Sequence, residues 1–133
     1  ESIFVTINDE RHEMLSDRDI AWYRHQGKME ECVRLTVQDL PKNVYVSFDI
    51  DGLDPSLCPN TGTPVPGGLQ YEEALSLVNA VVESERRIIG FDLVEVAPAS
   101  NDPATWAGDW NANVGMRLLY RLSTLALASQ VNK

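Results

Sequence analysis

The chain has 133 residues, of which 44% are hydrophobic and 23% charged, and its formal net charge is -9. This length is enough for one ordinary domain and too short for two, and the composition excludes a disordered chain. The negative charge argues against nucleic acid and anionic membranes as partners, because both repel an acidic surface.

The first predicted elements are a strand and a helical stretch. Residues 3–7 (IFVTI) are apolar and β-branched, which is typical of a short buried strand. From residue 17 to about residue 40, charged and apolar residues mix at helical spacing, with Ser16 or Asp17 as the N-cap. Pro41 ends this stretch, because proline cannot continue a helix.

The rest of the chain alternates between strands and helices. Residues 44–50 (VYVSFDI) and 88–94 (IIGFDLV) are apolar enough to predict strands that are buried on both faces. Helices are predicted at residues 71–84 and about 112–129. A Pro/Gly-rich loop spans residues 51–68, and a loop of this length in a compact domain is usually functional.

This alternation predicts an α/β layered fold with a mainly parallel sheet. Only about three strands can be counted, and so small a parallel sheet would leave apolar edges open if helices covered both of its faces. We therefore predict that the chain contributes only part of a larger sheet.

Two aspartates mark the carboxyl end of the strand at residues 44–50. Asp49 and Asp51 are two residues apart, so on a strand they point the same way, at the sheet edge where ligands of open α/β folds bind. Paired carboxylates repel each other unless a proton or cation lies between them, and their oxygens suit Mn²⁺, Mg²⁺ or Ca²⁺. The alternative is that they only cap a turn, as Asp54 before Pro55 also could, and the short pattern leaves both open.

The sequence around this pair resembles a known family. The run SFDIDGLDPSLCPNTGTPVPGGL (47–69) and the later GFDLVEVAP (90–98) resemble the ureohydrolases, which include arginases, agmatinases and formimidoylglutamases, and WNANVGMRLLYRL (110–122) is a weaker match. The resemblance implies an arginase-like three-layer α/β/α fold. It also implies that residues 1–133 are the carboxy-terminal portion of a single ureohydrolase domain.

The resemblance further implies a binuclear manganese hydrolase that cleaves a non-peptide C–N bond in a small guanidino, amidino or formimino substrate. In that case Asp49 and Asp51 are ligands of two Mn²⁺ ions per site, Glu95 is a catalytic and substrate-binding residue, and Thr63 binds substrate. The loop and the final helix look most like those of formimidoylglutamase-type or arginase-like members. Agmatinase is the alternative, as is a non-catalytic fragment or pseudoenzyme subunit of the same fold.

The other metal ligands of the family lie in GGDHS- and DAHxD-like motifs, which this sequence lacks. We therefore expect the amino-terminal half of the same domain to supply them, and this segment alone to be inactive. Because family members assemble as trimers or hexamers, a homo-oligomer is also expected.

The remaining notable side chains are expected to be structural. Cys58 is expected to pack as a small apolar side chain, Asp92 to have a structural partner, Trp106 and Trp110 to pack in the core or at its rim, and His12 and His25 to have no role. The two cysteines show no CxxC spacing, and we expect no signal peptide or membrane span from the first residues. These features predict a cytoplasmic protein.

Overall fold

The computed structural model describes residues 2–7 and 10–131, with side chains from residue 15 onward. Its regular elements, in chain order, are β1 Ser2–Ile7, β2 Glu10–Ser16, α1 Asp17–His25, α2 Met29–Gln38, β3 Asn43–Asp49, α3 Tyr71–Glu83, β4 Arg87–Val94 and α4 Trp110–Val131, with 3-10 turns at Ile50–Gly52 and Pro103–Thr105.

The first two strands form an antiparallel hairpin, β1 with β2. The predicted strand at residues 3–7 is confirmed, while its predicted burial lies outside the described side chains. The second strand, ERHEMLS, is absent from the sequence prediction, because its charged residues hide the alternation that marks a strand. His12 lies in this strand, and its side chain is not among those described.

The helical stretch predicted at residues 17–40 is two helices, so the prediction of a single stretch is wrong. The predicted N-cap is confirmed: the side chain of Ser16 accepts a hydrogen bond from the backbone of Asp19, and Asp19 completes a capping box. The break lies at Gly27, whose φ of 65° is in the left-handed region, where glycine ends a helix at little cost. The second helix, α2, then begins at Met29.

The centre of the fold is the parallel pair β3 and β4, joined through the helix α3. The helices α2, α3 and α4 pack on one face of this pair, and the buried residues of that core are Val37, Val78, Val81, Val82, Ile88, Leu122 and Leu125. This arrangement confirms the α/β class, the parallel pairing and the presence of only part of a sheet. It also places the carboxyl ends of β3 and β4 side by side, since Asp49 pairs with Val94.

The other face of the pair is open within the described chain. Along β3, half-buried residues alternate with exposed ones, and Tyr45 is 57% exposed. The prediction that this strand is buried on both faces is therefore wrong for these residues, because helices cover one side only. A cleft of about 1150 Å³, lined by parts of α1, α2, β3 and α3, runs beside β3 to Asp49, Asp51 and Thr63.

Among the described residues, no helix has both the length and the apolar character needed to cross a membrane.

Candidate functional site

The chain turns sharply where β3 ends, and this turn places the two predicted aspartates together. Asp49 is the last residue of β3, whereas Asp51 lies in the 3-10 turn rather than on the strand. The backbone N–H of Asp51 donates to Asp49 Oδ1 at 3.1 Å, so Asp49 also caps the turn. Ile50 is fully buried between them and anchors the turn in the core. The pair is thus held by the strand end, the cap and the buried Ile50 together.

The long loop that follows returns to its own beginning. Asp54 N donates to Leu69 O at 2.9 Å, and Leu69 N donates to Gly52 O at 2.9 Å. Gly68 allows this close approach, because a β-carbon there would lie 2.4 Å from the carbonyl carbon of Leu53. Residues 54–68 therefore form a closed loop beside the aspartates.

The far side of this loop brings the predicted Thr63 into the site. Thr63 Oγ1 donates a 2.5 Å hydrogen bond to Asp51 Oδ2, and Asp51 is 5% exposed. Gly62, which precedes Thr63, lies against Glu95, since a β-carbon at Gly62 would be 3.0 Å from Glu95 Oε2. One short segment thus contacts both the aspartate turn and the end of β4.

Glu95 follows β4 directly and has an unusual backbone. Its φ is 62°, in the left-handed region that residues with a β-carbon seldom adopt. Such a conformation costs about 1–3 kcal/mol and tends to occur at functional sites, where the surrounding structure holds it in place. The side chain of Glu95 is exposed.

The three carboxylates influence one another. The pKa of Asp49 is raised to about 6, mainly because its carboxyl group is partly withdrawn from water. A hydrogen bond with the carboxyl group of Asp51 raises this pKa further, as do the negative charges of Asp51 and Glu95. A proton or a cation bound here would relieve this repulsion. The structure therefore brings all four predicted site residues together, while their roles stay predictions.

The oxygen atoms of Asp49 and Asp51 suit a hard divalent cation. Two side chains do not complete such a site, and the described residues contain no group of three or more His, Cys, Asp or Glu side chains that could hold a metal ion. Any metal bound here needs ligands in addition to those described.

Asp92 and Cys58 lie close to the site and contact other groups. Asp92 accepts hydrogen bonds from Ser47 Oγ at 2.8 Å and Tyr45 Oη at 3.2 Å, on the open face of the sheet. Cys58 is buried and donates its thiol to Ile50 O at 3.0 Å, behind the aspartate turn. Both contacts agree with the structural roles expected from the sequence.

Arg24 is a contributor that the sequence did not reveal. Its guanidinium donates to both carboxylate oxygens of Glu73, at 2.9 and 2.8 Å, and to Gly68 O at 3.1 Å. This residue joins α1 and α3 to the base of the long loop. Its partners are more than 40 positions away, so no local pattern marks it.

Elsewhere, Trp106 and Trp110 are 50% and 54% exposed, so they lie outside the core, and His25 is exposed.

Comparison with known proteins assigns this arrangement to a family. A model described as the arginase family matches residues 4–122. The chain is 48% identical over 62 residues to an N(1)-aminopropylagmatine ureohydrolase of Thermus thermophilus, covering 47% of this chain and 21% of that protein. It is 42% identical over 101 residues to an agmatinase of Neisseria meningitidis serogroup C, covering 72% and 31%.

Among solved structures, the chain resembles a proclavaminate amidino hydrolase from Streptomyces clavuligerus. The TM-score is 0.62 at 30% identity, and the match covers 86% of this chain and 35% of that one. The chain therefore spans between a fifth and a third of the length of the two curated relatives.

Proposed function

Because this chain belongs to the arginase family, we propose that residues 1–133 are the carboxy-terminal portion of a single ureohydrolase domain, which hydrolyses a non-peptide C–N bond. The observation that carries the proposal is the convergence of Asp49, Asp51 and Glu95. The pKa of Asp49 is raised to about 6, mainly by partial burial, and the negative charges of Asp51 and Glu95 contribute to this increase. A site built from carboxylates favours cationic ligands, both a metal and a guanidinium group.

The proposed cofactor is a pair of manganese ions, for which Asp49 and Asp51 would provide carboxylate oxygens. The fit rests on their hard oxygen donors and on the repulsion that a cation would neutralise. When bound, such a pair of ions would activate a water molecule as the nucleophile. The remaining ligands would come from the amino-terminal half of the same domain.

The side chains of this chain have separate tasks in the proposed reaction. Thr63 donates to Asp51 Oδ2 and so fixes the orientation of this carboxylate, and its hydroxyl oxygen would accept a hydrogen bond from the substrate. Glu95 would pair with the planar guanidinium or amidine group through two charge-assisted hydrogen bonds. This contact would hold the trigonal carbon in place for attack.

Agmatine and related guanidines are the proposed substrate class. Two observations support this choice: the curated relatives described above are named for agmatine-type substrates, and the exposed carboxylate of Glu95 lies beside the aspartate turn. An acidic site suits a substrate that is cationic at both ends. Formimidoylglutamate and arginine are the competing substrates, because the loop sequence predicts those members of the family.

The amino-terminal half of the domain is the proposed partner of the open sheet face. Tyr45 and Ile89, on the two parallel strands, are 57% and 62% exposed, and exposed apolar side chains of this kind are usually covered in a complete fold. We expect residues 1–133 without that half to be inactive. The proposal also includes a cytoplasmic homo-oligomer, a trimer or a hexamer, as the working form.

The decisive test is metal content and turnover of the whole protein, with agmatine, arginine and formimidoylglutamate compared as substrates. We expect about two Mn²⁺ per chain, as two-metal hydrolysis requires, and urea release from agmatine. Glu95→Gln should retain metal and lose about 10- to 100-fold in kcat/KM, because a charge-assisted contact is lost. The control Glu72→Gln changes an exposed residue on α3 and should behave as wild type. Absence of metal from the wild-type protein, or full activity of Glu95→Gln, would contradict the proposal.

A further inference from the structure

Residues 95–99, which follow β4, have no regular structure, yet side chains at the start of α4 hold two of them by hydrogen bonds. Ala99 N donates to Asp109 Oδ2 at 2.6 Å, and Asn111 Nδ2 donates to Ala97 O at 3.0 Å. Asp109 is 8% exposed and Asn111 is 1% exposed. Because Asp109 also accepts from Ala112 N and Asn111 lies in the first turn of α4, these two side chains tie residues 97–99 to the start of the helix.

A third contact fixes the residue next to Glu95. A β-carbon at Gly115 would lie 2.8 Å from Val96 Cγ1 and 3.2 Å from Cγ2, so Val96 packs directly on the backbone of α4. Val96 immediately follows Glu95, and its contact with Gly115 fixes the direction of the backbone after Glu95. Any larger side chain at position 115 would push Val96 away from the helix.

These contacts explain how the unusual backbone of Glu95 persists. A left-handed residue with a β-carbon costs about 1–3 kcal/mol, so it relaxes unless its neighbours are held. The carboxylate of Asp109 joins the helix to residues 95–99, because it accepts a hydrogen bond from Ala112 N in α4 and another from Ala99 N. These bonds lower the pKa of Asp109. The helix start and the segment are therefore tied to one carboxylate.

Asn111 gives an independent sign that the contact serves more than packing. Its Oδ1 atom is buried and has no hydrogen-bond partner among the described residues. A buried polar atom left without a partner costs about 1–3 kcal/mol, which an apolar side chain would avoid. The Nδ2 atom of the same amide donates to Ala97 O, a contact that an apolar side chain could not make.

We propose that Asp109, Asn111 and Gly115 are positioning residues, which hold residues 96–99 so that Glu95 keeps its left-handed backbone and presents its carboxylate to the substrate guanidinium. This proposal rests on the role of Glu95 in the proposed function. The three residues act through the segment and do not themselves contact substrate. Their effect on turnover should therefore depend on the Glu95 carboxylate.

The first test uses Gly115→Ala in the whole protein with agmatine as substrate. We expect about a 10- to 100-fold loss in kcat/KM, because small displacements of an orienting group are costly, with manganese content unchanged. Adding Val96→Ala removes the γ-carbons that meet the new methyl group and should restore activity to within about threefold of Val96→Ala alone. The control Gly108→Ala adds a methyl group where no atom lies within 4 Å and should match wild type.

A double-mutant cycle separates positioning from general damage. In a Glu95→Gln background, Gly115→Ala should cause little further loss, because the carboxylate that it misplaces is already gone. Full additivity of the two losses, or wild-type kcat/KM in Gly115→Ala, would overturn the proposal.

Amide hydrogen exchange tests the same contacts without turnover. Exchange of the Ala99 amide, which donates to Asp109 Oδ2, should become about tenfold faster in Asn111→Ala and Gly115→Ala, because local opening of the segment becomes easier, and should not change in Gly108→Ala. Unchanged exchange in the first two variants would overturn the proposal even in an active enzyme. If the variants show the expected exchange but the wild-type protein cleaves no guanidine, the proposed function of Glu95 is contradicted instead.

Discussion

Substituting Gly68 tests whether the closed loop beside the aspartates depends on close backbone contact. A β-carbon at this position would lie 2.4, 2.5 and 2.6 Å from Leu53 C, Leu53 O and Asp54 N. Ordinary carbon contacts lie near 3.5–4.0 Å, so Gly68→Ala must separate the two ends of the loop by about 1 Å. These atoms belong to the backbone and cannot rotate away as a side chain would.

The cost follows from what this separation breaks. Two backbone hydrogen bonds close the loop, Asp54 N to Leu69 O and Leu69 N to Gly52 O, and each contributes about 1 kcal/mol. Overpacking of a filled site adds about 1–3 kcal/mol. We therefore expect Gly68→Ala to lower the free energy of unfolding by about 3–5 kcal/mol.

The neighbouring Gly67 provides a matched comparison with a different mechanism. Its φ is 89°, and a β-carbon there would meet no atom within 4 Å, so Gly67→Ala should cost only about 1–2 kcal/mol from backbone strain. Urea unfolding of the two variants, with proteolysis of residues 54–68 as a local probe, measures the difference. An equal cost for both variants, or a cost below about 1 kcal/mol for Gly68→Ala, would refute the steric reasoning.

Three further predictions concern the charges and contacts of the site. In EDTA-treated protein, Asp49→Asn should raise the melting temperature, and the increase should grow between pH 3.8 and about pH 6. Over this range the unfolded state loses the Asp49 proton that the folded state retains, so the wild-type protein loses stability as the pH rises. A difference that does not vary with pH would contradict this. Thr63→Val should weaken Mn²⁺ binding about 10- to 100-fold, because it removes the hydrogen bond that orients Asp51 Oδ2, and Thr63→Ser should restore binding, both measured by metal titration. Arg24→Ala should lower the free energy of unfolding in urea by about 1–2 kcal/mol, a value that allows for the partial exposure of the pair with Glu73. Arg18 lies on the exposed side of α1, and an equal loss in Arg18→Ala would show that the Arg24 pair adds no stability.

Local patterns predicted much of this molecule. The strands β3 and β4, the helices α3 and α4 and the cap at Ser16 depend on residues close in sequence, and the structure contains each of them within a few residues of its predicted bounds. Patterns failed where one residue or distant pairing decided the outcome. Gly27 divided a stretch that is helical by composition, and β2 gains its strand conformation by pairing with β1 despite its charges.

By itself, the sequence determined which residues are the candidates for the site, because carboxylates two positions apart at a strand end and the long motif around them are local properties. Only the tertiary structure decided how those residues meet. Thr63 reaches Asp51 because the loop closes at Gly68, and Glu95 lies beside them because β3 and β4 run parallel and end together. The strained backbone of Glu95 and its support from the start of α4 depend on contacts between separate segments, which no periodicity or composition encodes.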